Sequence, residues 1–158
     1  RNEGGGVLRF FLSGSHKGII EVSSGGVNYS SNSDYRLKEN VVTLDGAITR
    51  VKQLQPKRFN FIEDPSQTVD GFLAHEAQTV VPEAVTGTHN GVETWQADDE
   101  LPEGVSVGDT KLDSEGNTIP DYQGIDQAKL VPLLTAALQE AIAKIETLET
   151  KVAALEAQ

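Results

Sequence analysis

Ser33 and Lys38 are the pair whose side chains could make and break a covalent bond, and they stand five residues apart. A serine hydroxyl turns nucleophilic when a base takes its proton, and a lysine can be that base if burial holds it neutral. On a helix, a five-residue step turns two side chains roughly 140° apart, so the chain must bend between them or they must meet across subunits. Serine and lysine at this spacing are common by chance. By spacing alone the stretch reads better as a polar connector leading to a strand over residues 40–44.

The other reactive residue types form no constellation. His16, His75 and His89 fall in three different stretches, which argues against a zinc site. A Ser-His-Asp triad would lack the Gly-x-Ser-x-Gly elbow that supports one. Gly4-Gly5-Gly6 and Gly25-Gly26 have neither the Lys-Ser/Thr nor the strand-helix context of a phosphate loop. Asp113, Glu115 and Asn117 begin like a calcium loop but lack its remaining ligands, so a solvated turn is expected there. No metal and no cofactor is expected.

These residues need elements to position them. Residues 1–32 are rich in Gly and Ser, with β-prone runs at residues 7–12, 18–22 and 27–29. Three short strands cannot bury a core alone, but interleaved with copies from other chains they could. A flexible linker would leave Phe10, Phe11, Ile19 and Ile20 in water. The opening residues 1–6 look like the middle of a longer polypeptide.

Residues 33–91 read as compact α+β. Ala47, Ile48, Val51 and Leu54 give one apolar helical face, stopped by Pro56. Residues 57–63 alternate as a strand closed by Asp64-Pro65-Ser66, Gly71-Phe72-Leu73-Ala74 is a second strand candidate, and residues 75–81 suggest a short helix ended by Pro82. Residues 92–124 are acidic, with Lys111 as the single basic residue, and turn signals suggest an extended arm or hairpins.

From residue 125 onward a heptad seam takes over. Val131, Leu138, Ile145 and Val152 occupy position a, and Leu134, Ala141, Leu148 and Leu155 occupy position d. Lys144 and Lys151 fall at g, with Glu149 and Glu156 at e, the charge pairing of a parallel coiled coil. A helix packed on its own domain would explain the stripe but not these flanks. Strand number stays open, since β-branched a with Leu at d leans towards two.

Composition narrows the class. The 158 residues carry a net charge of -11, which argues against nucleic-acid binding. Aromatic residues are only 6%, thin for a self-contained core of this size, and there is no cysteine to staple one. No apolar run approaches membrane-spanning length.

The run Ser33-Asp34-Tyr35-Arg36-Leu37-Lys38-Glu39-Asn40-Val41 closely resembles the opening signature of the C-terminal intramolecular chaperone, or self-cleaving peptidase, domain of phage endosialidases, tail spikes and tail fibres. The resemblance continues in order through Leu54-Gln55-Pro56 with Phe59 and Phe61, Gly71-Phe72-Leu73-Ala74-His75-Glu76, Val81-Pro82-Glu83-Ala84-Val85, Tyr122 and Leu130-Val131-Pro132-Leu133-Leu134, so it covers residues 33–158. It implies an α+β homotrimer: a small mixed domain with a protruding acidic arm and a C-terminal parallel coiled-coil helix, preceded by the β-rich, intertwined end of a fibre. The expected divisions are 1–32 for the fibre end, 33–124 for the autoprocessing domain and 125–158 for the coiled-coil helix.

The resemblance also implies cleavage between Asn32 and Ser33 by a Ser33-Lys38 dyad, once per chain. Asp34, Arg36 and Asn40 match further signature positions without an assigned catalytic role. His75 stands where relatives often carry a glutamine-like residue, which favours a surface or packing role. The implied partners are the chain itself, as a trimer, and the fibre upstream, whose exposed part could meet a receptor on the host surface. Nucleic acid and membrane insertion are not expected. Such a chain is made in the bacterial host cytoplasm; the fibre stays in the virion tail and the chaperone part is released. Two other readings compete: a non-cleaving trimerisation and receptor-binding tip, and the similar domains of membrane-tethered transcription regulators, which the Gly/Ser β-rich lead-in disfavours.

Overall fold

The computed structural model describes residues 7–157, so the Gly4-Gly5-Gly6 run and the opening residues lie outside it. The chain is mixed α+β and divides into two compact units, Arg1–Thr43 and Leu44–Gln158. In the first unit β1 (Val7–Leu12), β2 (Ser15–Ser23) and β3 (Gly26–Ser31) form an antiparallel meander. Ser13 and Gly14, at φ 50° and 77°, make the two-residue turn that joins β1 to β2. Positive φ at both positions matches the right-handed twist of the strands. The strands stand where the β-prone runs predict them, with β2 longer at both ends. Leu8, Phe10, Phe11, Leu12, Val22, Val27 and Tyr29 all remain exposed, because a three-stranded sheet has no second layer to cover them.

The second unit begins with α1 (Ala47–Val51), followed by a hairpin of β4 (Lys57–Phe61) and β5 (Asp64–Gly71). The strand expected over 71–74 lies earlier. Asp64-Pro65-Ser66 does not close a strand but opens one, which an edge position allows because proline has no N–H to leave unpaired there. Gly71 ends β5 under the Phe59 ring, where an added Cβ would sit 3.2 Å from Phe59 Cε1. Helix α2 (Ala74–Gln78) is shorter than expected, and Pro82 does not stop it but starts a 3-10 turn, Pro82–Ala84. A short pair follows, β6 (Val85–Thr86) with β7 (Gly124–Ile125), and frames the acidic stretch.

That stretch folds as hairpins held by the bridges Val92 with Pro120, Thr94 with Thr110 and Leu112 with Thr118. Gly104, Gly108 and Gly116 take positive φ at the turns, as their neighbours predict. Lys111 pairs with Asp99 at 2.9 Å and lies over the Trp95 ring at 5.0 Å. The Asp113 carboxylate accepts from the amides of Glu115 and Asn117, so those residues form a turn rather than a cation loop.

The 26-residue helix α3 (Val131–Glu156) completes the unit. Its first turns bury Leu133 and Ala137 against Ala47, Val80, Val81, Ala84 and Leu130, with Ile48, Val51 and Phe72 packed at the edge. Alanines at these contacts let the helices approach closely, and burying one leucine contributes about 1.5–3 kcal/mol. Gly46 has no side chain to cap α1, and Glu140 of α3 supplies the cap from a distance: its carboxylate accepts from the amides of Ala47 (2.7 Å) and Ile48 (3.1 Å). The heptad seam runs on a different face. Seven of its eight residues, all but the half-buried Ala141, are exposed, and from Ile142 to Ala157 every residue faces water.

The amides of Ile48 and Ala47 hold the Glu140 carboxyl below the ordinary glutamate range. A depressed folded-state value means that its contribution is complete above the unfolded value and fades as pH falls through the folded one. Glu140→Gln should therefore melt below wild type at neutral pH, with the gap closing in acid. Circular dichroism melts across the pH series check this; a gap unchanged into strong acid would sink the assignment.

Candidate active site

Residues 32–43 link β3 to the end of the first unit and carry every signature residue of the expected site. Between extended Asp34 and extended Lys38 the chain makes one 3-10 turn, Tyr35–Leu37. This is the bend that the five-residue spacing requires. It folds the lysine back on the serine, and Lys38 Nζ donates to Ser33 Oγ at 2.7 Å.

Asp34 holds the turn in two ways. Its Oδ1 accepts from the Arg36 amide at 2.9 Å, the N-cap interaction that satisfies a free donor at a helical start. Its two oxygens also take the Arg36 guanidinium as a fork, from Nε at 3.0 Å and Nη2 at 2.8 Å. The Arg36 side chain and then its amide hold the Asp34 carboxyl below its ordinary range, and Asp34 in turn raises Arg36. The amides of Leu37 and Lys38 close the turn on the carbonyls of Asp34 and Tyr35, each at 3.1 Å. Asn40 follows at φ 53°, the left-handed region that asparagine tolerates better than most residues. The strand expected over 40–44 under the connector reading does not form.

Upstream, Asn32 continues the β2–β3 ladder, its amide donating to the Lys17 carbonyl at 3.1 Å. The structure thus gathers Asn32, Ser33, Asp34, Arg36 and Lys38 within one turn of chain. All of them are exposed, and Tyr35, Leu37, Val41 and Val42 around them are exposed as well, at 81%, 68%, 77% and 85%. Lys38 here donates to the hydroxyl, whereas a general base must accept from it. The contact has the reach of a general base but not yet its environment.

His75 and His89, separated in sequence, stack face to face at 4.2 Å. Parallel rings do not converge on one ion, and among the described residues no group of three metal-ligating side chains is assembled. Spacing did not reveal Glu140 as a cap or His16 as a partner of Asn32. The first depends on helix packing and the second on strand register, and neither leaves a local pattern.

Residues 33–86 match the peptidase family described as chaperone of endosialidase. The match opens on Ser33 and closes at the end of β6, before the acidic hairpins and α3. The family is one of intramolecular chaperones with self-cleaving serine peptidase activity. No curated protein matches the chain. Among the described residues, no helix is long and apolar enough to cross a membrane.

If Asp34 holds the turn, Asp34→Ala should speed amide exchange at Arg36 by about fivefold, and Asp34→Asn, which keeps the cap, by much less. Hydrogen exchange read by NMR checks this. Equal exchange in the two variants would show that the cap is idle.

Proposed function

We propose that this chain is an intramolecular chaperone that gathers three copies of a phage tail fibre or spike and then frees itself by cutting the Asn32–Ser33 bond. The observation that carries the reading is the 2.7 Å contact between Ser33 and Lys38 at the first residue of the family match.

The chemistry runs in two stages. Neutral Lys38 Nζ takes the proton of Ser33 Oγ, and the oxygen attacks the carbonyl carbon of Asn32. The tetrahedral centre collapses with loss of the Asn32–Ser33 C–N bond. Lys38 returns the proton to the departing Ser33 nitrogen, leaving an ester between the Asn32 carbonyl and the Ser33 oxygen. Water, deprotonated by Lys38, then hydrolyses the ester to an Asn32 carboxylate and a free Ser33 hydroxyl. Nucleophile and target belong to adjacent residues, so alignment replaces substrate binding, and one turnover suffices.

Assembly supplies what the single chain lacks. The exposed seam of α3 and the exposed apolar sheet of β1–β3 are both faces that further copies can cover. Closing the seam brings the fibre ends together in register and raises their effective concentration, which offsets the entropic cost of interleaving strands from separate chains. In this reading, the meeting of the first units of the three chains covers the apolar residues around the dyad and takes Lys38 out of water. In this reading the chain is made in the bacterial host cytoplasm, the fibre stays in the virion tail, and the chaperone leaves after cleavage.

Ser33→Ala and Lys38→Met in the full chain should each yield uncut assemblies, while wild type yields a product whose mass starts at Ser33. Hydroxylamine should accelerate the wild-type cut through the ester. Cleavage of Ser33→Ala at the same bond would show the scheme to be wrong and favour a non-cleaving tip processed by other means.

A further inference from the structure

Asn32 is gripped by the strand beside it more fully than ladder pairing requires. Its carboxamide Nδ2 donates to the His16 carbonyl at 2.5 Å, and its Oδ1 lies 3.2 Å from His16 Nδ1. With the amide nitrogen committed to the carbonyl, the oxygen faces the ring, so His16 carries a proton on Nδ1 and donates it. His16 is itself the register partner of Phe11 on β1, whose ring meets it edge-on at 5.4 Å. Residues from β1, β2 and the end of β3 therefore converge on the residue whose carbonyl Ser33 would attack.

This grip exists in one register only. A one-residue slip of β3 along β2 would turn Asn32 to the opposite face of the sheet and away from His16. The Asp34–Arg36 turn fixes the other side of the bond. The bond is thus held between two local devices, one in the fibre end and one in the signature segment.

We propose that His16 is a positioning residue for self-cleavage: by holding the Asn32 carboxamide it aims the Asn32 carbonyl at Ser33 only when β1, β2 and β3 are correctly paired. The inference rests on Asn32–Ser33 being the bond that is cut. Under it, cleavage reports the folding of the fibre's last sheet as well as the meeting of chains. A fibre end with mispaired strands keeps its chaperone.

The test measures the rate constant of cleavage in the full chain, at concentrations where light scattering shows the same assembly for every variant. His16→Ala should slow cleavage by about tenfold, because small misplacements of reacting groups are costly in rate. His16→Asn, which keeps a donor near the Nδ1 position, should recover most of the loss. Asn32→Ala should slow the cut as much as His16→Ala, and the double variant no further, since both remove one contact. Gly18→Val tests the coupling at a distance: an added Cβ would stand 2.8 Å from the Ser30 carbonyl oxygen and break the β2–β3 ladder, with the dyad untouched. It too should slow cleavage. Wild-type rates in His16→Ala, or additive losses in the double variant, would overturn the inference while an uncut Ser33→Ala leaves the dyad standing; a cut Ser33→Ala would remove the dyad itself.

Discussion

The protonation of a single amine governs the proposed reaction. Lys38 reaches Ser33 at 2.7 Å, yet both side chains face water. A base that must be neutral cannot work until its surroundings disfavour charge. In the single chain the local geometry is complete and the environment is missing. Under the proposed reading, that separation would carry the cutting device through synthesis and folding without premature use.

The rest of the molecule divides the work accordingly. The Leu44–Gln158 unit has a small core of alanines, valines and leucines, closed by the cap that Glu140 places on α1. This core anchors the first turns of α3 and leaves the seam free on another face. The apolar stripe along residues 142–157 is not packed on the core of its own unit, and in the proposed assembly other helices would cover it. The sheet of β1–β3 stands in the same position, with aromatic and aliphatic side chains on display. If the proposed cut removes the chaperone part, a fibre assembled from such sheets would persist because unfolding is slow, with no template left to guide the reverse path.

How much of this was legible in the sequence depends on the range of the forces involved. β1–β3 follow from local signals, Gly and Ser turns between β-prone runs, and α3 from a period sustained over four heptads. Asp64-Pro65-Ser66 has turn chemistry in sequence, yet the edge position of β5 lets it open the strand. The bend joining Ser33 to Lys38 could not be derived from spacing, since it depends on Asp34 capping its own turn and clamping Arg36. The Glu140 cap and the His16 grip on Asn32 link residues brought together by helix packing and strand register, so no window along the chain contains them.

The claim that assembly activates the dyad is tested most directly by dilution. Uncut full chain, refolded over a range of concentrations spanning its association, can be followed by light scattering and by the appearance of the Ser33 amino terminus. The account predicts that the cut fraction follows the assembled fraction and stays near zero in dilute chains. A cleavage rate independent of concentration, with isolated chains cutting themselves, would contradict it.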